Sequence, residues 1–237
     1  MSGWRSPLPA RLSSVVPPVL SPRSFLRLRA ALFVIALLPL ARLFHLGATG
    51  GLGANPVEFV IRSLGTWTLV ALVVTLCVTP LRLATGWAWP MRLRRMLGLF
   101  AFFYAVLHLM AYVWLDQWFD AAAIWKDVLK RPYITAGFLA MVLLVPLAVT
   151  STHGWVRRLG GRNWQRLHRL VYVVAVLAVA HFWWQKAAKN DLAEPLAYAI
   201  VVGLLLGVRL LRRLQGRYGS IDSSANSSST ASRRRIS

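Results

Sequence analysis

Cysteine occurs once, at Cys77, so the chain forms no internal disulfide and offers no cysteine-based zinc site, iron–sulfur cluster or C-x-x-C-H attachment for covalent haem. Acidic residues are nearly as scarce, with 7 Asp and Glu in 237 residues, and six of the seven are expected in the connections between apolar runs. That leaves few candidates for the paired carboxylates of a hydrolase. Charged residues make up only 15%, where a soluble domain carries about 25%. No hydrophilic stretch between apolar runs is long enough for a nucleotide-binding or catalytic domain.

What the chain does have is apolar surface and positive charge. Hydrophobic residues account for 57%, the mean hydropathy is +0.55, and there are 11 Trp. The 28 Lys and Arg give a formal net charge of +21, which alone would suggest a nucleic-acid binder. In so apolar a chain the basic residues instead mark one face of a membrane, and no nucleic-acid partner is expected.

Six apolar runs follow one another: Ala30 to Gly47, Leu64 to Leu81, Met96 to Leu115, Tyr133 to Ser151, Leu167 to Trp184 and Pro195 to Leu211. At 1.5 Å per residue, runs of about 17 to 20 residues just cross a hydrocarbon core of about 30 Å, and in lipid they must be helices. The fold class expected is an all-α membrane protein, a six-transmembrane-helix bundle. Pro39 kinks the first run and Arg42 must snorkel from it. A cleaved signal peptide is the rival reading of that run, although Arg42 and His45 interrupt its end. Residues 1–24 read as a disordered basic arm, residues 25–217 as the membrane domain, and residues 218–237, with SSANSSSTASRRR, as a disordered tail.

Arginines set the orientation. Arg92, Arg94 and Arg95 in the second connection, Arg157, Arg158, Arg162 and Arg166 in the fourth, and both ends of the chain fall on one side. The other side, with Arg62, Lys126, Lys130, Arg131, Lys186 and Lys189 against most of the acids, is near neutral. The positive-inside rule then puts both termini in the cytoplasm. Trp114, Trp118, Trp183 and Trp184 lie near the outer interface and Trp87, Trp89, Trp155 and Trp164 near the inner one.

The chemistry is carried by histidines, because an ionisable side chain inside the membrane is costly and usually faces a cofactor, an ion path or a polar partner. His108 lies about 20 Å along the third span from Arg95, and His181 about 22 Å along the fifth from Arg166, so the two share a depth. An iron between neighbouring helices would take one imidazole from each, with a planar porphyrin filling the gap. His168 lies within about 3 Å of the inner edge and implies a second site. Its counterpart on the third span is Arg94 rather than a histidine, so an inner haem needs another ligand, such as His153, or is absent or five-coordinate. His168 and His181 differ by about 220° around one continuous helix, which a tilt or bend must absorb. Arg92, Arg94, Arg95, Arg166 and Arg169 at the inner rim are topology signals first and partners for propionate or phosphate second. The same histidines as interhelical hydrogen-bond partners, His45 and His153 as wetted side chains, and Cys77 as a packing residue are the plain readings beside these.

The stretches NPVEFVIRSLGTWTL from Asn55, LRRMLGLFAFFYAVLHLMAYVWLD ending at Asp116, KRPYITAGFLAMVLLVPLAVTS from Lys130 and RRLGGRNWQRLHRLVYVVAVLAVAHFWW from Arg157 resemble the haem-binding membrane subunits of bacterial periplasmic methionine sulfoxide reductase systems. These belong to the wider ferric-reductase-like membrane cytochromes. The resemblance spans about Phe25 to Arg217 and implies an inner-membrane b-type cytochrome with one or two haems. It implies electron transfer from the quinone pool, or a cytosolic flavin reductase, to a periplasmic molybdopterin-containing catalytic subunit. It also implies FMN, for which no motif is visible, and haem-associated histidines at His108, His168 and His181. The chain itself would then be a non-catalytic electron-transfer subunit. A ferric or cupric reductase of the same fold, a proton channel or transporter, and a structural membrane anchor are the alternatives.

Overall fold

The computed structural model describes residues 20–187 and 190–233. Residues 1–19 and 234–237, which hold most of the expected arm and the end of the expected tail, lie outside the described residues. The helices are α1 (Pro22–Ala48), α2 (Pro56–Thr85), α3 (Pro90–Ala111), α4 (Ala121–Lys130), α5 (Pro132–Val149), α6 (His153–His168), α7 (Leu170–Ala187) and α8 (Ala193–Arg233). A π-helical turn, Tyr112–Asp116, continues α3. Among the described residues six helical segments are long and apolar enough to cross a membrane, with α6 and α7 counted as one.

Each start has a local cause. Ser21, Asn55, Asp120 and Thr152 accept main-chain N–H bonds from the first turns of α1, α2, α4 and α6, and Pro22, Pro56, Pro90 and Pro132 stand where the first N–H would be unpaired anyway. The cap at Asn55 begins α2 eight residues before the apolar run at Leu64. Glu58 and Arg62, expected in a connection, are therefore helical and paired at 2.6 Å. Asp127 and Glu194 are likewise helical rather than in loops. The connections expected from Asp116 to Arg131 and from Thr152 to Arg166 each contain a helix, α4 and α6; both are too short and polar for a search tuned to spans. Within α6, Gly160 sits at φ 71°, where a side chain would be strained.

Packing joins α2 to α3 and α5 to α7 most extensively, with α3 against α5 and α8 against α2 and α7. The central cluster draws Leu72 and Leu76 from α2, Ala101 and Ala105 from α3, Ala140 and Leu144 from α5, Val174 and Ala175 from α7, and Val202 from α8. Between helices in lipid there is no hydrophobic driving force, so the alanines matter because they let backbones approach and gain dispersion contacts. A second cluster of Leu43, Leu64, Phe100, Tyr104 and Ala111 seats α1 on α2 and α3.

Three prolines interrupt these helices, at Pro39, Pro80 and Pro146, and each removes the donor for a carbonyl four residues earlier. Lipid supplies no water to replace it, so a donor must come from a neighbouring side chain where one is within reach. Tyr104 donates its hydroxyl to the Ala36 carbonyl, 2.6 Å away, in the turn before Pro39, next to the Ile35 carbonyl that Pro39 leaves without its helical donor. Arg209 of α8, 8% exposed, donates from Nη2 to the Leu76 carbonyl, the one Pro80 leaves without its helical donor. Replacing Arg209 with Met is expected to destabilise the bundle by about 1–3 kcal/mol, the cost of an unsatisfied buried acceptor. The cost should vanish in a Pro80→Ala background, where residue 80 regains its N–H. Thermal unfolding in detergent of the two single variants and the double variant checks this, and additive effects would refute it.

Candidate functional site

The apolar runs bring α3 and α7 together at the arginine-poor end of the bundle. There the His108 and His181 rings stand 6.0 Å apart between centroids, their planes inclined by 79°. This is the matched depth expected from the sequence. His108 lies in the last turn of α3, one turn beyond Ala105 of the central cluster, and His181 stands in α7 beyond Val174 and Ala175.

The same device positions both imidazoles. His108 Nδ1 bonds to the Ile61 carbonyl of α2 at 2.8 Å, and four residues on from Ile61 stands Gly65. His181 Nδ1 bonds to the Tyr133 carbonyl of α5 at 2.6 Å, and four residues on stands Gly137. A residue four positions later sits one turn above the carbonyl on the same face, so a side chain there would block the imidazole. A Cβ at Gly65 would come within 3.0 Å of His108 Cε1, and one at Gly137 within 2.7 Å of His181 Nδ1. Because the main-chain carbonyl can only accept, Nδ1 of each ring carries the proton and Nε2 keeps its lone pair. This tautomer leaves the Nε2 lone pair of each ring without a proton, and Nε2 is an atom through which a neutral imidazole can bind a metal.

No group of three or more His, Cys, Asp or Glu suited to a metal ion occurs among the described residues. A bare ion would be under-coordinated by two imidazoles, whereas a metal delivered in a planar four-coordinate ligand needs only those two.

His168 lies apart, at the arginine-rich end, with its ring stacked 3.9 Å from Trp164 and Nε2 3.2 Å from Thr150 Oγ1. A cavity of about 580 Å³ opens there, lined among others by Arg94, Arg95, His153, Trp164, His168 and Arg169. Its volume is in the range of sites for cofactor-sized ligands. Arg169, between α6 and α7, keeps helical backbone angles (φ −69°, ψ −20°), and the kink in this segment lies at Gly160, before His168, rather than between His168 and His181. His45 is exposed in the last turn of α1 and His153 is exposed at the start of α6.

Sequence reasoning passed over Gly65, Gly137, Ile61 and Tyr133. The glycines do interrupt apolar runs, but what they make room for is a ring on another helix. The carbonyl acceptors carry no side-chain signal at all.

A bundle of six membrane-spanning helices holding a facing pair of imidazoles has the form of a ferric-reductase-type transmembrane protein, and residues 64–179 match the family described as "Ferric reductase like transmembrane component". Three relatives, each named "Protein-methionine-sulfoxide reductase heme-binding subunit MsrQ", narrow this. The one from Ralstonia nicotianae is 55% identical over 83% of this chain and 90% of its own length. That from Herminiimonas arsenicoxydans is 53% identical over 83% and 90%, and that from Bordetella pertussis 56% identical over 81% and 92%. The chain belongs to the MsrQ family, multi-pass membrane proteins within the ferric-reductase-like group. No solved structure matches it.

Proposed function

We propose that this chain is the membrane electron-transfer subunit of a periplasmic methionine sulfoxide reductase system, with His108 and His181 as the two axial ligands of a haem b. The observation that carries the proposal is the facing imidazole pair with both Nδ1 atoms committed to main-chain carbonyls. When bound, a haem supplies a one-electron ferric/ferrous couple, and two neutral imidazoles suit that couple because they favour low-spin iron in both states. The protein's own part is to fix the tautomers, to hold both rings by packing against Gly65 and Gly137, and to keep water out with the apolar faces of α2, α3, α5 and α7. Metal-ligating histidines typically donate the other ring N–H in this way, which fixes ring orientation and raises ligand basicity.

The arginine-rich end is cytoplasmic in this reading, with both termini inside and the bacterial inner membrane as the site. Electrons enter there from the quinone pool or from a cytosolic flavin reductase and leave at the His108/His181 end to a periplasmic molybdopterin-containing catalytic subunit. His168 is the ligand for a second haem in the cavity beside it. The surrounding arginines and Trp164 suit the propionates and the flat conjugated ring of that haem, and the FMN that the resemblance implies is the alternative occupant of the same cavity, not a second one beside it.

The test is a reduced-minus-oxidised spectrum of the purified protein with pyridine haemochrome quantification. A low-spin b-type spectrum is expected. His168→Ala should lower the haem count from two per chain to one while leaving the remaining haem low-spin. An unchanged count in His168→Ala would refute the second site, and a colourless, folded wild type would refute the cytochrome reading and favour a histidine-based proton path.

A further inference from the structure

Two arginines in membrane-spanning helices carry buried side-chain nitrogens without a hydrogen-bond partner among the described residues: Nε of Arg209, and Nε and Nη2 of Arg62. Arg209 has a structural task, since it serves the carbonyl left by Pro80 and donates from Nη1 to Leu205 at 2.7 Å. Among the described residues Arg62 caps no carbonyl. Its Nη2 stands 2.6 Å from Glu58 Oε1 in an ion pair, and its Nε has no hydrogen-bond acceptor among the described residues. A guanidinium has five N–H donors in a fixed fork, and burying part of one without acceptors is costly.

The position of Arg62 says what is missing. It follows Ile61, whose carbonyl holds His108, and precedes by three residues Gly65, whose backbone lies against the His108 ring. On a helix that places Arg62 about 60° round from the Gly65 face and about 4.5 Å nearer the arginine-poor end. A partly buried cation just outward of His108, ion-paired on one nitrogen and with Nε lacking an acceptor among the described residues, matches an acidic group borne on the rim of a planar cofactor. Arg is the residue suited to it because its fork binds a carboxylate through two parallel N–H bonds.

We infer that Arg62 receives a propionate of the haem held by His108 and His181, sharing its charge between that carboxylate and Glu58. This rests on the cytochrome reading. It makes Arg62 a cofactor-binding residue and Glu58 the group that tempers it. A cation beside the haem disfavours the more positive ferric state, so the pair adjusts the reduction potential in opposite directions.

Potentiometric titration of the haem absorption in the purified full-length protein, with haem content measured alongside, tests this. Arg62→Gln should favour the ferric form about tenfold at a fixed applied potential, a midpoint lower by about 59 mV for a one-electron couple. Glu58→Gln should shift the midpoint upward, and Arg62→Lys should fall between wild type and Arg62→Gln, because it keeps the charge and loses the fork. Arg62→Gln with wild-type haem content and midpoint overturns the inference, as does Glu58→Gln moving in the same direction as Arg62→Gln. If Arg62→Gln purifies without haem, Arg62→Lys and Glu58→Gln decide, and wild-type midpoints in both overturn it. A wild type that binds no haem removes the cytochrome reading together with this one, whereas unshifted midpoints in haem-loaded variants remove this one alone.

Discussion

Replacing either His108 or His181 with Ala should abolish the low-spin b-type absorption of the haem they share and reduce electron delivery to an outer acceptor by more than about 100-fold. The magnitude follows from a comparison: losing a partner that merely orients a metal ligand costs about 10–100-fold, and here the ligand itself goes. The two variants should be equivalent, because one iron loses one of two axial nitrogens in each case. The fold should survive both. The carbonyls of Ile61 and Tyr133 lie within α2 and α5, where the helical ladder gives them the N–H groups of Gly65 and Gly137, so removing an imidazole leaves no unpaired acceptor in the lipid. The measurement is paired: visible spectrum with haem quantification, and far-ultraviolet circular dichroism for helix content. A variant that keeps the wild-type low-spin spectrum would remove its histidine from the ligand set. Loss of spectrum accompanied by loss of helix would show only that the bundle failed to assemble.

Much of this architecture was legible because a bilayer leaves the chain few options. Six apolar runs of spanning length had to be helices, and the six-helix all-α bundle is what the structure has. Depth was legible too, since rise per residue converts sequence distance into position along the membrane normal; His108 and His181 do meet. The polar ends of helices were less visible. Hydropathy ends a helix where the apolar run ends, but Asn55, Asp120 and Thr152 start theirs by accepting main-chain N–H bonds, so α2 extends to Pro56 and α4 and α6 lie in segments read as connections. Arg62 thereby moved from an outer connection into the membrane domain, where its charge acquires a different meaning. Beyond the meeting of His108 and His181, the contacts between particular side chains and the backbones of other helices were not legible. Nothing in the order of residues says that the carbonyl of Ile61 faces His108 or that Arg209 reaches the turn broken by Pro80. The repeated carbonyl-and-glycine arrangement on α2 and α5 is likewise a relation between backbones, which explains why no internal sequence repeat announced it.

Gly137→Ala sets the fold and the site against each other, and its outcome is expected to split between them. In the helix, Ala is favoured over Gly by about 1 kcal/mol, so α5 itself gains. At the site, the added methyl would stand 2.7 Å from His181 Nδ1, 3.0 Å from Cε1 and 3.3 Å from Cγ, closer than carbon tolerates. The ring cannot yield without leaving the Tyr133 carbonyl, which lies one turn away on the same helix, or without changing its 6.0 Å approach to the His108 ring. Helix α5 cannot withdraw either, because Ala136, Ala140 and Leu144 are buried in contacts on both sides of residue 137. The melting temperature should therefore hold or rise while retained haem falls by about 10-fold or more, in the range typical of lost orienting partners. Gly65→Ala should do less, since its closest approaches, 3.0 Å to His108 Cε1 and 3.2 Å to Nδ1, call for a shift of only a few tenths of an ångström. Purifying both variants, counting haem per chain and following thermal unfolding separates the cases. Full haem occupancy with an unshifted spectrum in Gly137→Ala would mean that the ring has freedom the packing denies it, and that glycine was selected at 137 for something other than room beside His181.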